Sequence, residues 1–463
     1  MSGHVLFLTG RLAEANLRRV LEGLAPLPFR WEIRQLGVSV AALLTAEMIA
    51  RRLPGAGGAE RIVVPGRCRG DLEALAARYG VPVERGPEEL MDLPEYLGRD
   101  GGGPPDLSEH DVRIFAEITD APRLTVAAIL ERAAALAADG ADVIDLGCLP
   151  DTPFPHLAEA VEALCGAGHR VSVDSLRPED LIAGDRAGAA FLLSLTPETL
   201  WVAEETAAVP VLIPGPDGGL EALGASLEWM AERGRPCIAD PVLDPIHFGF
   251  ADSLVRYHTL RGRYPGAELM LGVGNLTELT EADTTGINAL LFGFASELGI
   301  RHVLTTQVSP HCASAVREAD LARRIMFRAR AEQRLPKRLH GGLAAHRERR
   351  PFPYTPEEIA AAAGAVRDPN FRIQVSRAGI HVYNRDGVRS GSDPFELYPA
   401  LGVEGDGGHA FYLGVELARA EIAHRLGKRY VQDQPLDWGS VVRPPAVDLE
   451  RQAAPGPTRR RRA

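Results

Sequence analysis

Short apolar runs alternate with amphipathic stretches along most of the chain. "HVLFLTG" (4–10) has the pattern of a buried strand, and "RLAEANLRRVLEGL" (11–24) that of a helix. "RWEIRQLG" (30–37) with "VAALLTAEMIARRL" (40–53), and "AERIVVPG" (59–66) with "DLEALAARYG" (71–80), repeat the pair; "VPVERGPEEL" (81–90) adds a strand. Strands alternating with helices predict parallel βαβ units, here an open α/β sandwich over residues 1–105. "GRDGGGPPDLSEHD" (98–111) clusters Gly and Pro without periodicity and predicts a linker.

From residue 111 the alternation restarts and runs for eight rounds. The strand patterns are "RIFAEITD", "ADVIDLG", "RVSVDS", "AAFLLSLT", "VPVLIPG", "PCIADP", "AELMLGVGN" and "HVLTTQVS". Helical patterns follow them at 124–139, 156–167, 178–187, 198–206, 219–233, 252–263, 283–298 and 316–333. Eight such rounds predict a central (β/α)8 barrel over 111–335. Beyond a polar, basic crossing at 334–350, residues 351–440 show a helix ("TPEEIAAAAGAV"), a hairpin ("FRIQVSRAGIHVYNRDG") and a second helix ("AFYLGVELARAEIAHRL"), an α+β domain. The last stretch, 441–463, ends in "APGPTRRRRA" and predicts a disordered basic tail.

Composition narrows the function classes. The apolar share of 45% and charged share of 24% are those of a globular protein. A net charge of −11 argues against a nucleic-acid binder, which needs a basic face. Only Lys337 and Lys428 are lysines, so almost every cation is an arginine. Five scattered cysteines without a C-x-x-C pair predict a reduced, cytoplasmic protein without structural zinc. The first residues lack the pattern of a signal peptide, and no apolar run reaches the length of a membrane span. "TGRLAE", after the first strand, has neither the dinucleotide fingerprint nor a P-loop.

In a (β/α)8 barrel the C-terminal strand ends converge on one face, where the active site lies. The first barrel strand brings Glu117 and Asp120 to that face. The second and third end on Asp145 and Asp174, the fourth on Ser194, the sixth on Asp240 with Asp244 nearby, the seventh on Asn275 and the eighth on Gln307. A ring of carboxylates and amides suits a ligand rich in N–H donors, such as a pterin edge. A single strand-end Asp can equally cap the next helix, as can Ser175 or Asp151. Five or more together favour a binding face.

These residues resemble a family. "GADVIDLG" (140–147), "VSVDS" (171–175) and a "DP" at the sixth strand followed by "FGF" (248–250) are similar to the pterin-binding barrels of dihydropteroate synthases; "EITDAPRLT" (117–125) stands in their first-loop position. "ADPVLDP" and "LGVGNLTEL" also resemble methyltetrahydrofolate-binding methyltransferases. The three-part layout resembles most the synthase-related proteins of archaea and methylotrophic bacteria associated with methanopterin-type cofactor synthesis. The resemblance implies that Asp174, Asp240 and Asn275 hold the pterin, with Ser194 and Gln307 in the same ring. It implies that Asp145 and Glu117 face a diphosphate, with Glu117 helping to hold Mg2+ and Asp145 and Asp174 as the catalytic carboxylates. A homodimer is a further implication.

The departures are equally specific. Asn275-Leu276 replaces the family's lysine after the seventh strand, "LPDTP" (149–153) lacks the arginine of its second loop, and "TTQVSPH" (305–311) lacks its basic pair. The pterin half is kept and the second-substrate half is changed. A different arylamine follows, the ribofuranosyl-aminobenzene phosphate of methanopterin synthesis. Phosphate contacts would then fall to Arg123, or to Arg377 and Arg389 in the glycine-bearing hairpin. Two alternatives stay open: a tetrahydropterin-dependent methyltransferase and a non-catalytic pterin-binding subunit.

Overall fold

The computed structural model describes residues 3–98, 105–150, 152–215 and 219–443. The chain forms two compact units: residues 106–345 with 438–443, and residues 1–105 with 346–437. Three separate domains were expected; the first and third stretches instead share one unit. The basic tail from 444 onward lies outside the described residues.

In the unit of residues 1–105 and 346–437, β1 (Gly3–Thr9), β2 (Phe29–Gln35), β3 (Arg61–Val64) and β4 (Val83–Arg85) form a parallel sheet in the order β2-β1-β3-β4. Alternation along β1 and β3 covers both faces. Leu6, Leu8, Ile62 and Val64 pack with Ile49, Leu72 and Leu75 on one side. Val5, Phe7 and Val63 pack with Leu17, Leu21 and Leu93 on the other. The expected open α/β sandwich is therefore present.

The C-terminal stretch adds an antiparallel sheet of β13 (Arg372–Ser376), β14 (Gly379–Asn384) and β15 (Gly387–Gly391), one strand more than the expected hairpin. Helix Gly407–Leu426 supplies Leu413, Leu417 and Ala420 to its core. The two stretches of this unit join through Tyr354 Oη donating to Glu89 at 2.9 Å and an Arg429–Asp92 ion pair at 2.6 Å.

The other unit is a closed parallel barrel. Its strands are β5 (Arg113–Ile118), β6 (Val143–Gly147), β7 (Val171–Asp174), β8 (Phe191–Leu195), β9 (Val209–Leu212), β10 (Ile238–Ala239), β11 (Glu268–Gly272) and β12 (His302–Thr306). β12 pairs with β5 from His302–Arg113 to Thr306–Glu117 and closes the ring. Side-chain alternation decides what each strand offers. Phe115, Val143, Phe191, Leu193, Val211, Ile238 and Met270 fill the barrel interior, while Ile114, Ile118, Ile144, Leu146, Val171 and Val173 face the helices. Two residues beyond an interior position is another interior position, so Glu117 follows Phe115 inward, Asp145 follows Val143, and Asp240 follows Ile238.

Two expected elements differ. The fourth helical pattern, 198–206, gives only a 3-10 turn at Pro197–Thr199 and a helix at Val202–Glu205. The seventh strand stops at Gly272, and Gly274–Thr277 is a helical turn. Gly272 and Gly274 weaken strand continuation there. No helix among the described residues is long and apolar enough to cross a membrane.

Candidate active site

Three neighbouring strands each bring one carboxylate to the C-terminal mouth of the barrel. Glu117 is the last residue but one of β5, Asp145 lies in β6 and Asp174 ends β7; in register, Glu117 pairs with Asp145 and Gly147 with Asp174. One ligand oxygen from each of the three lies within 4.8 Å of the others. Gly147 makes the arrangement possible. A Cβ on that residue would stand 2.6 Å from Glu117 Oε1, so any larger residue would displace the carboxylate.

Asp145 is 0% exposed. Its Oδ1 accepts a hydrogen bond from the Ser172 hydroxyl, while Oδ2 is buried with no partner. An uncompensated buried carboxylate oxygen is costly, which marks this atom as waiting for a cation or a donor. Burial, then the charge of Glu117, pushes the Asp145 carboxyl up to about 8, against the opposing Ser172 bond. Burial, then Asp174 and Glu278, pushes Glu117 to about 8 as well. Burial, then Asp145 and Asp240, raises Asp174 well above the usual carboxylate range. Neither Glu117 nor Asp174 has a side-chain hydrogen bond among the described residues. Three crowded carboxylates cannot all ionise without a counter-charge.

One cavity opens on this cluster, and a second adjoins it. The first, of about 330 Å3, is lined by Glu117, Gly147, Cys148, Asp174, Ser175 and Arg177. Arg177 is held by Asp180 through two bonds of 2.9 and 3.0 Å. The larger, of about 570 Å3, shares Leu176 with the first and is lined by Ser194, Thr196, Ile213, Pro241, Val242 and Arg256. Behind it, Asp240 Oδ1 accepts from the Tyr257 hydroxyl and the Val242 N–H, each at 2.7 Å. Burial raises Asp240 to about 6, because those two bonds and Arg256 recover only part of the cost. Val242 has φ +66°, a left-handed conformation unfavourable for a β-branched residue. Asp240 fixes its N–H, and Arg256 Nη2 fixes its carbonyl at 2.8 Å. Such strain persists where surrounding bonds enforce it, commonly at ligand sites.

The remaining expected residues divide. Ser194 lines the larger cavity. Gln307 presents a buried Nε2 without a partner. Asn275 sits in the helical turn after β11 and spends one of its two Nδ2 hydrogens on Leu243 O at 2.7 Å, which ties the amide to the loop after β10. Glu278 accepts from the N–H groups of Val308 and Ser309 at 2.8 and 2.9 Å and so fastens the loop after β12. Asp120 pairs with Arg132 and turns outward. Arg123 is exposed in the short turn after β5. Arg377 lies in the turn between β13 and β14 and Arg389 in β15, both in the other unit, so of the three expected phosphate contacts the barrel unit holds only Arg123.

The sequence reading missed three groups. Ser172 shares the inward parity of Asp174, and alternation in "RVSVDS" was the available signal. Arg256 and Ser253 are three apart on helix Phe250–Arg263, which puts them on one face. Arg256 holds Asp244 at 2.6 Å and the Pro241 carbonyl at 3.1 Å. No local motif announces the Tyr257–Asp240 bond.

A family of unknown function (DUF6513) matches residues 3–88. An uncharacterized protein of Methanocaldococcus jannaschii is 26% identical, over 93% of this chain and 98% of that protein. Among solved structures, the Thermus thermophilus dihydropteroate synthase in complex with 4-aminobenzoate is 24% identical, covering 49% of this chain and 96% of that chain at a TM-score of 0.36. The Yersinia pestis enzyme with a pterine-sulfa conjugate is 18% identical, covering 49% and 95% at 0.37. The Xanthomonas albilineans enzyme in complex with 7,8-dihydropteroate is 20% identical, covering 50% and 96% at 0.36.

Proposed function

We propose that the barrel is a pterin-dependent transferase of the dihydropteroate synthase type, joining a dihydropterin methyl diphosphate to an arylamine. The observation that carries the reading is the Asp174 carboxylate: part-buried at a strand end, lining a cavity, without a hydrogen-bond partner among the described residues, and beside the orphaned Oδ2 of Asp145. Asp174 and Asp240 would accept N–H bonds from the pterin edge, with Ser194 and the carbonyl oxygens of Asn275 and Gln307 completing the ring. The strained Val242 turn, fixed by Asp240 and Arg256, would shape the wall against which the flat ring lies.

The donor set also fits Mg2+, since Glu117 and Asp145 offer only carboxylate oxygens and one of those is buried and unmatched. When bound, such an ion neutralises diphosphate charge. The chain's own contribution would be to orient the ring and exclude water around it, with Glu117 and Asp145 as the residues that would hold the ion. We assign the second substrate to the aryl phosphates, ribofuranosyl-aminobenzene phosphate first, because the changed loops at 149–153 and 305–311 concern the arylamine side. A cytoplasmic, homodimeric transferase in methanopterin-type synthesis completes this reading.

The test is a phosphate-coupled assay of pyrophosphate release from 6-hydroxymethyl-dihydropterin diphosphate with each arylamine and Mg2+. Release that depends on the arylamine and disappears in Asp174→Asn supports the proposal. Methyl loss from a methylated tetrahydropterin, with no pyrophosphate release, supports a methyltransferase instead. Pterin binding without either turnover identifies a non-catalytic subunit.

A further inference from the structure

The strand order β2-β1-β3-β4 contains a topological switch. The chain leaves β1 toward β2 on one side, then returns past β1 to β3 on the other, so the loops after β1 and β3 part and leave a crevice at the strand ends. A cavity of about 360 Å3 lies there. Phe7, Leu17, Val63 and Leu93 give it an apolar floor, and Tyr354 and Arg372, from the C-terminal stretch of the same unit, close over it. Two glycines let the walls come close. A Cβ on Gly10 would meet Ala41 N at 2.7 Å, and one on Gly66 would meet Glu88 N at 2.6 Å.

We infer that this crevice is a second small-molecule site, independent of the barrel, for a flat aromatic amine or amino-heterocycle that carries no phosphate. The loop after β1 has no backbone donors to spare for an anion: the N–H groups of Arg11, Leu12 and Ala13 are bonded to the carbonyls of Val38, Ser39 and Gly10 at 2.8, 3.1 and 3.2 Å. Helix Glu14–Gly23 opens without a side-chain cap and with an acidic residue in its first turn, the reverse of a phosphate-binding helix start. The Arg372 guanidinium is held by both oxygens of Asp368, at 3.0 and 2.8 Å.

Among the groups that line the crevice acceptors remain, while Arg67 and Arg429, whose charges act on Glu89, are not part of the lining. Glu89 Oε2 takes the Tyr354 hydroxyl, while its Oε1 has no hydrogen bond among the described residues. The Thr9 hydroxyl, on a residue 3% exposed, likewise has none. Glu88, paired with Arg67 at 3.8 Å, adds a second carboxylate at the rim. Apolar walls with aromatic rings on two sides and carboxylates at one edge select a ring whose own edge carries N–H groups. The volume admits a bicyclic ring.

The probe is 2-aminobenzimidazole, titrated calorimetrically into the full-length protein. The expected result is a dissociation constant below about 1 mM, weakened by about tenfold in Glu89→Gln, which removes one charge-assisted acceptor without changing shape. Ala42→Trp, which fills the crevice, should abolish binding; Glu89→Gln keeps the test usable if that variant fails to fold. Asp174→Asn in the barrel, and added inorganic phosphate or AMP, should leave binding unchanged. No measurable binding, equal affinity in Glu89→Gln, loss in Asp174→Asn, or displacement by phosphate would each overturn the assignment.

Discussion

Two parallel sheets in this chain present their strand ends to a cavity, and they differ in how much unmatched charge they gather there. At the barrel mouth, inward positions two beyond the core layer are Glu117, Asp145 and Asp240, and charge accumulates faster than the protein satisfies it. At the mouth of the open sheet, the strand ends are Thr9 and Val64, the loop N–H groups are already bonded, and Glu88, Glu89 and Arg372 bring charge. Topology fixes where a ligand can sit; the identity of a few strand-end side chains fixes which ligand. Closure sharpens the contrast. A closed ring aims its strand ends at one point and so crowds like charges, whereas an open sheet lets them diverge.

The comparison breaks most decisively at Asp174. Asp174→Asn should weaken pterin binding on the order of 100-fold, because two charge-assisted acceptor bonds become one neutral one. The same change should leave 2-aminobenzimidazole binding alone. Calorimetry on both ligands reads the two mouths separately. Next in size is the ion. Glu117→Gln or Asp145→Asn should weaken Mn2+ binding by roughly tenfold or more, measured by electron paramagnetic resonance, since affinity for hard cations follows ligand charge. Equal Mn2+ binding in wild type and both variants would remove the cation from the account.

A third effect concerns stability and pH. Glu117 and Asp145 have folded-state values raised to about 8, above the ordinary values of about 4 in an unfolded chain. Between those limits the folded state binds more protons than the unfolded one. Metal-free stability therefore falls as pH rises from about 4 through about 8. Glu117→Gln should flatten that slope and raise Tm at pH 8 by several degrees, while Mg2+ should stabilise the wild type more at pH 8 than at pH 6. Thermal melts across the series check both signs. The smallest effect is local: Val242→Gly should relieve the left-handed strain and stabilise the barrel unit by about 1 kcal/mol, with a looser pterin site.

Much of this was legible along the chain. Eight apolar runs alternating with amphipathic stretches give the barrel, and runs ending on Glu117, Asp145 and Asp174 give the cluster, because parity and strand ends are local properties. What stayed hidden was long-range. Residues 346–437 pack with residues 1–105 through pairs such as Tyr354–Glu89 and Arg429–Asp92, separated by hundreds of positions. Asn275 read as a strand-end group that holds the ring, yet Gly272 and Gly274 let the chain turn helical and one N–H of its amide closes on Leu243. Arg256, on a helix, looks like a solvated cation in sequence and proves to hold the loop after β10. Arg377 and Arg389 drew attention through glycine-rich composition, which says nothing of which unit they join.

The most direct measurement is a crystal of the protein soaked with 6-hydroxymethyl-dihydropterin diphosphate and Mn2+, with anomalous scattering recorded at the manganese edge. The account predicts ring density with its amino edge on Asp174 and Asp240, and a manganese peak on Glu117 and Asp145. Ring density away from those carboxylates, or manganese bound elsewhere while the barrel mouth stays empty, would contradict it.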